Sequence, residues 1–351
     1  MRLGGQAEKF PALSRPISVC VPTYNGERFL GETLASIAAQ TFGDFEILVV
    51  DDGSTDSTLD IAERFAATDR RTRVVRSVAR AGTGAGNANR CAELASGEWL
   101  KFVFQDDLIA PACLERMLLA GERGPLVVCW HDYRFEPAIP PDVRAWYEAL
   151  PTLATELPGH FADPETLSGA VLRQPGANFI GPTSIGFFRR DCFLKHGGFD
   201  ARFSFFPALE CWLRIGCSEG LAIAPEQLVT YRVHDQSISG DIRRDPRRAF
   251  RSSLQHLRLA LHFARSPRYE TLRRVAATRS PRFDVEANLR TRAFEMRWHA
   301  IDEKFRARDT WALEQWEAFV AENPEMPAVM QDVDAGLSFA DRLRQFVKRL
   351  P

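Results

Sequence analysis

Two pairs of adjacent carboxylates are the residues best suited to do chemistry. Asp106 and Asp107 follow the apolar run 100–104, and neighbouring carboxylates repel each other unless a cation neutralises them. Their oxygens suit Mg²⁺ or Mn²⁺, whose remaining positions are filled by water and phosphate oxygens. The alternative is a solvated acidic turn before a helix, and this segment alone favours neither interpretation.

Asp51 and Asp52 end another apolar run, residues 45–50. Carboxylates at such a position can accept hydrogen bonds from a ribose or from a base N–H. Taken alone, residues 52–56 favour a simple turn with a helix cap. The chain contains neither of the common glycine-rich phosphate loops, so a glycine-rich helix start that cradles a diphosphate is not supported.

The elements that must position these carboxylates alternate between strand and helix. Strands are predicted at 17–21, 45–50, 73–76 and 99–104, with helical patterns between them. This alternation predicts an α/β fold, a mostly parallel sheet with helices on both faces. Ligands of such sheets bind beyond the carboxyl ends of the strands. The polar clusters that follow predicted strands are Pro22–Asn25, Asp51–Asp56 and Gln105–Asp107.

Composition excludes several functions. Lys and Arg (45) balance Asp and Glu (46) in the 351 residues, so nothing indicates nucleic acid as a partner. Seven scattered cysteines predict reduced thiols in the cytoplasm and show no zinc-site spacing. No apolar run of membrane-spanning length and no leader peptide is found. We therefore expect a cytoplasmic protein that meets a membrane, if at all, peripherally at its inner face.

Five segments, read in order, resemble family-two glycosyltransferases of the A-type nucleotide-sugar fold. They are "SVCVPTYNGERFLGETLASIAAQTFGDFEILVVDDGSTDST", "GTGAGNANRCAELASGEWLKFVFQDD", "GPTSIGFFRRDCFLKHGGFD", "ALECWLRIG" and "YRVHDQSISG". The resemblance covers about residues 16–240, and five ordered motifs are far more specific than any one of them. It implies transfer of a sugar from a nucleotide-diphosphate sugar to an acceptor hydroxyl, with inversion and with Mn²⁺ or Mg²⁺. The acceptor, a glycan, a lipid-linked molecule or a protein, is left open.

The resemblance also implies roles for individual residues. Asp106 matches the metal ligand, Asp107 its acidic neighbour, and His234 a position that can meet the metal or the diphosphate. A histidine satisfied by a backbone carbonyl is an equally good interpretation of His234. Arg232 could neutralise the leaving diphosphate. The predicted nucleotide-sugar contacts are Pro22, Thr23, Tyr24, Asp51, Asp52, Asn89, Gln105 and Arg232.

The chain departs from the family pattern at two positions. Phe104 stands where many members have an aspartate, which leaves one carboxylate fewer for the metal. Ala208 stands where the family has the aspartate that acts as general base. Glu210 is the nearest carboxylate and becomes the predicted base, with Asp200 and His234 as alternatives. Ala208 also favours a rival hypothesis, a nucleotide-sugar-binding partner or scaffold protein that has lost turnover.

The predicted organisation has three parts. Residues 1–15 form a lead-in, 16–240 the transferase domain (16–110 the nucleotide-sugar half, 111–240 the acceptor half), and 241–351 a helical C-terminal region. The last segment carries apolar residues such as Phe339 and Leu343 among Arg and Lys. Such a helix can lie on an anionic membrane, but packing against the protein is the favoured interpretation. A role in cell-surface polysaccharide or glycoconjugate synthesis is expected.

Overall fold

A mixed β-sheet forms the centre of the computed structural model, which describes residues 16–77, 81–236, 245–279, 281–306 and 308–336. Within these residues the sheet has nine strands. They are β1 (Ile17–Thr23), β2 (Phe45–Asp51), β3 (Thr72–Arg76), β4 (Trp99–Phe102), β5 (Leu108–Ile109), β6 (Leu126–Phe135), β7 (Phe161–Ala162), β8 (Gly186–Arg189) and β9 (Leu221–Val233). Their spatial order is β3-β2-β1-β4-β8-β6-β9-β5, and β7 pairs with the start of β9.

Helices connect and cover these strands. In the described part of the chain they are α1 (Leu30–Ala38), α2 (Thr58–Thr68), α3 (Gly84–Leu94), α4 (Cys113–Ala120), α5 (Pro141–Glu148), α6 (Leu153–Glu156), α7 (Pro164–Arg173), α8 (Arg190–Lys195), α9 (Pro207–Glu219), α10 (Pro246–Arg265), α11 (Glu270–Thr278), α12 (Val285–Arg306), α13 (Trp311–Glu322) and α14 (Met326–Gly336). Short 3₁₀ turns lie at Gly121–Arg123, Thr183–Ile185 and Pro267–Tyr269.

Strands β1 to β4 form a parallel half that matches the prediction. Every residue of β1 is buried, as expected when helices cover both faces of a parallel sheet. Neighbouring residues of β4 show the two faces. Lys101 reaches Met117 of α4, whereas Leu100 pairs with Phe188, whose ring stacks on Trp212 of α9. The predicted α/β architecture with helices on both faces is confirmed.

The second half of the sheet is more antiparallel than predicted. Strand β8 runs antiparallel to both β4 and β6, and β5 and β7 run antiparallel to β9. The reason lies in the 3₁₀ turn that precedes β8. Ser184 in this turn accepts a hydrogen bond from the N–H of Phe104, so β8 enters the sheet at the carboxyl end of β4 and must run back along it. The Pro-rich stretch 137–164, expected to be irregular, contains α5, α6 and β7.

All seven cysteines are buried and none forms a disulfide. They pack as small apolar side chains in the principal core, in contact with strands or with helices that cover the sheet. Burial raises the pKa of the Cys129 thiol to about 12, and it raises that of Cys192 to about 11. These thiols are therefore uncharged at neutral pH.

The helical C-terminal region belongs to two cores. Helices α10, α12, α13 and α14 share a second cluster that includes Leu257, Trp316 and Met326. The other side of α10 and helix α11 join the principal core through Phe263 and Leu272. Packing therefore does not divide the chain at residue 240. The predicted basic terminal helix lies beyond Gly336, outside the described residues. None of the described helices is both long enough and apolar enough to cross a membrane.

Candidate active site

The loops after β1 and β2 are joined by hydrogen bonds into one rim at the carboxyl edge of the sheet. The N–H of Asn25 donates to Ser54 Oγ at 2.9 Å, and Asn25 Oδ1 accepts from the N–H of Thr55 at 2.9 Å. Asn25 can do both because it adopts a left-handed conformation (φ 47°), which asparagine tolerates better than most residues. The N–H of Gly26 donates to Thr58 Oγ1 at 2.7 Å and ties the rim to α2.

Gln105 shapes this rim from the end of β4. Its Oε1 accepts from the N–H of Tyr24 at 2.8 Å, and its Nε2 donates to the Tyr24 carbonyl at 3.0 Å. A Cβ on Gly26 would lie 2.3 Å from Gln105 Oε1, so a larger residue here would displace the Gln105 amide. Because both ends of the Gln105 amide are engaged, we correct its predicted role from a nucleotide contact to a support of the loop.

Tyr24 is the residue of the predicted first donor loop that faces solvent. Its side chain is 37% exposed, whereas Thr23 is buried and its hydroxyl donates to Asp51. Pro22 lies inside β1 and is buried as well. The structure therefore brings the three residues to one edge but presents only Tyr24 on the surface of that edge.

The carboxylates of Asp51 and Asp52 have different surroundings. Asp51 is fully buried and accepts from the N–H groups of Gly53 and Ser54 and from the Ser54 hydroxyl. These bonds match the interpretation of this segment as a turn, and they leave the Asp51 carboxylate few free lone pairs with which to bind a nucleoside. Asp52 accepts from the N–H groups of Ala81 (2.6 Å) and Gly82 (3.1 Å), so it holds the turn before α3. Asp52 is buried as well, and its contact with a nucleoside stays a prediction.

Asp106 and His234 form the centre of the candidate site. Nε2 of His234 lies 3.0 Å from Oδ2 of Asp106, and the Asp106 side chain keeps a quarter of its surface exposed. The ring of Phe29 packs against His234 with centroids 4.6 Å apart and orients the imidazole. The N–H of Gln236 donates to Nδ1 of His234 at 3.2 Å, so Nε2 carries the proton of the neutral ring and donates to Asp106. A divalent cation at this pair would replace that proton, and one imidazole nitrogen and one carboxylate oxygen would then hold it.

Asp107 lies behind this pair. One of its oxygens accepts from the Ser184 hydroxyl, and the other accepts from the N–H of Arg232 at 3.2 Å. Burial, and then the charge of Asp106, raise the pKa of Asp107 well above its usual range. The predicted ligand role does not fit this placement, because both oxygens bind protein donors. Asp107 instead ties the ends of β4, β8 and β9 together beneath Asp106.

Arg232 is also enclosed by the protein. It is buried, its Nη2 donates to Glu32 Oε2 at 2.9 Å, and its guanidinium lies 4.4 Å from the centroid of the Phe29 ring. The hydrogen bond from Arg232 lowers the pKa of Glu32, so this carboxylate stays charged. The Arg232 charge is thus neutralised by Glu32, and its predicted contact with the leaving diphosphate does not fit this geometry.

Glu210, the predicted base, is fully buried in α9. Arg214 donates to both of its carboxylate oxygens, at 2.8 and 3.0 Å, and His262 of α10 lies 3.7 Å away. Burial alone would raise the Glu210 pKa, but the nearby imidazole of His262 and the charge of Arg214 outweigh it, and the pKa lies below its ordinary value. Such a carboxylate stabilises the fold and does not reach an acceptor, so the prediction for Glu210 is corrected. Ala208 is likewise buried.

Asn89, another predicted nucleotide contact, has a structural role. Its side chain donates to the carbonyl of Phe199 and accepts from the N–H of the same residue, both at 2.8 Å. It therefore fastens α3 to the loop before α9, with one hydrogen bond at each end of its amide.

A second group of possible metal ligands, Cys192, His196 and Glu219, was missed by the sequence analysis. Arg268 approaches Nδ1 of His196 at 2.8 Å, and a guanidinium can only donate. The proton of a neutral His196 ring is then on Nε2, which lies 3.0 Å from Glu219 and donates to it. Glu219 also accepts from Lys195 at 2.9 Å, so two cationic side chains, Arg268 and Lys195, lie beside this group and disfavour a metal ion. The group is an ion-pair network.

The sheet order, the joined strand-end loops and the Asp106–His234 pair define an A-type nucleotide-sugar transferase fold. Residues 18–190 match the model of glycosyl transferase family 2. EpsH of Bacillus subtilis, a glycosyltransferase by name, is 39% identical over 121 residues, which are 34% of this chain and 35% of that protein. The chain thus spans only a minor part of this relative.

Solved structures share the fold over nearly the whole chain. Staphylococcus aureus TarS, residues 1–349 with UDP-GlcNAc, has a TM-score of 0.58 at 17% identity, covering 91% of this chain and 83% of that one. A mannosyltransferase from Pyrobaculum calidifontis, in complex with GDP-Man and Mn²⁺, has a TM-score of 0.54 at 20% identity, covering 95% and 84%. At these identities the likeness shows the fold.

Proposed function

We propose that this chain transfers a sugar from a nucleotide-diphosphate sugar to an acceptor hydroxyl, with the help of a divalent cation. The observation that supports it most is the 3.0 Å contact between Asp106 and His234, at the edge where the loops after β1, β2 and β4 meet. The related fold of TarS, with UDP-GlcNAc, and that of the mannosyltransferase, with GDP-Man and Mn²⁺, agree with such a donor. The donor is of one of these two kinds, so its nucleobase and its sugar are left open.

The residues of the site divide the work. Tyr24 and Asp52 would hold the nucleoside at the rim, because they lie at the ends of adjacent strands, with Tyr24 exposed. Asp106 and His234 would hold Mn²⁺ or Mg²⁺, which would supply positive charge beside the diphosphate. Asp107, Gln105 and Arg232 keep these groups in place through the hydrogen bonds described above.

Inversion of the anomeric centre, as in the family the sequence resembles, would follow from a single displacement by the acceptor oxygen. The acceptor would be a hydroxyl of a glycan, a lipid-linked molecule or a protein. The broader role would lie in cell-surface polysaccharide or glycoconjugate synthesis, carried out in the cytoplasm or peripherally at the inner membrane face.

Calorimetry with UDP-GlcNAc and with GDP-Man, each with MnCl₂ or with EDTA, tests the donor and metal assignments. We expect one donor to bind at least about tenfold more tightly with MnCl₂ than with EDTA. Even the loss of a residue that hydrogen-bonds to a metal ligand typically lowers metal affinity or activity by about 10–100-fold, and EDTA removes the metal itself. Release of the nucleoside diphosphate and the anomeric configuration of the product, both followed by NMR, test transfer and inversion. Equal binding with and without metal for every donor would contradict the metal assignment.

A second candidate is a nucleotide-sugar-binding protein without turnover, which would act as a partner or scaffold. The absence of a carboxylate at Ala208 and the engagement of Glu210 with Arg214 favour it. Donor binding of normal strength without any release of nucleoside diphosphate, to water or to sugar acceptors, would support this candidate over the enzyme.

A further inference from the structure

His131 on β6 carries a buried nitrogen that the fold does not use. Its Nε2 is shielded from solvent and has no hydrogen-bond partner among the described residues, although the ring as a whole is only partly enclosed. Unpaired buried polar atoms are rare in proteins and call for an explanation, such as a ligand or a bound water. Burial lowers the pKa of His131 to about 4, so the imidazole is neutral at pH 7 and one of its ring nitrogens carries a lone pair.

The side chain of His131 points to the face of the sheet opposite α1. Arg134 and Arg232, paired across β6 and β9, both contact Glu32 of α1. Residues of odd number in this part of β6 lie on the other face, because side chains alternate along a strand. Accordingly His131 packs edge-on against Tyr133, at 5.0 Å between ring centroids. In the parallel half of the sheet, helix α9 covers the face that lies opposite α4, where Trp212 stacks on Phe188.

A bulge gives His131 this direction. The register of β6 and β9 shifts on both sides of Trp130, so that Pro225, Glu226 and Leu228 of β9 have no partner on β6. Pro225 has no N–H to donate, which favours an interruption of the ladder there. Bulges re-aim side chains and are common beside active sites.

One short segment connects His131 with the candidate metal site. Ser184 donates to Asp107, next to Asp106. At the start of the same segment, Gly181 (φ 132°) lies so close to His131 that a Cβ would stand 2.9 Å from the imidazole Cε1. Across the sheet, β9 alone separates His131 from Ile109 of β5, so their backbones lie two strand spacings, about 10 Å, apart. Ile109 follows Asp106 by three residues, so this spacing relates His131 to the segment that carries Asp106.

Two candidate bases of the acceptor half and one histidine of the helical C-terminal region are already engaged. Glu210 is bound by Arg214, and Asp200 by the guanidinium of Arg202 at 2.6 Å. Both ring nitrogens of His256 lie near carbonyl oxygens, at 2.9 and 3.2 Å. His131 is therefore the histidine of this half whose buried nitrogen is left over in the described structure.

We propose that His131 binds the acceptor hydroxyl and takes its proton, in place of the carboxylate that is absent at Ala208. The hydroxyl oxygen bonds to the anomeric carbon, the bond from that carbon to the diphosphate oxygen breaks, and the proton passes to the imidazole. The nucleoside diphosphate leaves with the bonding electrons. This assignment rests on the proposed function, and it specifies an acceptor that presents a neutral hydroxyl to an imidazole.

The test compares His131→Gln and His131→Asn with the parent chain and with His160→Gln, a control at an exposed histidine of the same half. The donor, UDP-GlcNAc or GDP-Man, is the one that binds the parent by calorimetry, and water is the acceptor in single-turnover release of nucleoside diphosphate. We expect donor affinity within about twofold of the parent and a release rate lower by about 10²–10⁴-fold, the usual contribution of a general base. Sodium azide, a nucleophile with no proton to lose, should restore the rate in the His131 variants and yield a glycosyl azide.

Other outcomes overturn the assignment. Release at the parent rate by His131→Gln places the base elsewhere. A slow variant that azide does not restore, or whose donor affinity and melting temperature fall together, gives His131 a structural role. If the parent binds donor but releases no nucleoside diphosphate with water or with azide, no residue of this site acts as a base. A parent that binds no donor refutes the proposed function itself, which is a different failure.

Discussion

Oδ2 of Asp106 lies 3.0 Å from Nε2 of His234, a contact between residues 128 positions apart in the chain. It joins the end of β4 to the end of β9 across a sheet in which these strands are not neighbours. The two strands are held at this distance by Asp107, which binds Ser184 on one side and the backbone of Arg232 on the other. The buried carboxylate thus positions the exposed one.

Asp106→Asn should remove most of the Mn²⁺ dependence of donor binding and leave the melting temperature nearly unchanged. The reason is that this carboxylate is partly exposed and its neighbour Asp107 makes the structural hydrogen bonds. Calorimetry with and without MnCl₂ measures the effect. Asp44→Asn, at an exposed residue before β2, is the matched control. Unchanged metal-dependent binding by Asp106→Asn would show that the metal is held elsewhere.

Asp51→Ala should lower stability, and Asp52→Ala should weaken nucleoside binding in addition to loosening the turn that it holds. Asp51→Ala leaves the buried N–H groups of Gly53 and Ser54 without an acceptor, which costs about 1–3 kcal/mol of unfolding free energy in urea titrations. Asp52→Ala should weaken UDP or GDP binding even in EDTA. A loss that appears only with metal present would instead place Asp52 close to the cation.

Glu210→Gln should lower stability without changing donor affinity. It leaves the Arg214 charge buried and unpaired, a change that typically costs about 3–5 kcal/mol. Glu226→Gln is the control, since its ion pair with Arg116 is about half exposed and is worth at most about 1 kcal/mol. If Glu210→Gln is as stable as the control but transfers no sugar, Glu210 is the base after all.

The stability of the parent should also depend on pH through Glu210. Its folded pKa lies below the unfolded value of 4.5, so the stabilisation is fully present above about pH 4.5 and is lost as the pH falls through the folded pKa. Urea titrations between pH 6 and pH 3 should show this loss in the parent, and a smaller loss in Glu210→Gln. Parallel pH profiles for the two proteins would contradict the assignment.

Ending the chain after Asn323 should loosen the second cluster and spare the candidate site. It removes α14, whose Met326 and Val329 are buried against the helices of that cluster, a loss of about 1.5–3 kcal/mol for each side chain. We expect a lower melting temperature and an unchanged donor affinity by calorimetry. Loss of donor binding in a shortened chain that is still folded would make the helical region part of the site.

The sequence predicts the nucleotide half of the molecule better than the acceptor half. Apolar runs that end in Asp51 or Gln105 mark both the strands and their carboxyl ends, so local patterns suffice. The Glu210–Arg214 ion pair also had a local signal, the spacing of four residues on a helix, and this signal argues against a catalytic Glu210. The reversed direction of β8 and the bulge that turns His131 arise from pairing between distant strands. No pattern within one segment could predict them.

The burial of every cysteine makes selective labelling of this chain simple. A thiol introduced at the surface would react with a maleimide while the seven native side chains stay shielded, so none of them has to be replaced. Tyr24→Cys would place such a dye at the exposed tip of the rim. The fluorescence of the dye, or the protection of the introduced thiol from the maleimide, would report occupancy of the candidate nucleoside site in solution. This readout does not require that the protein turn over its donor.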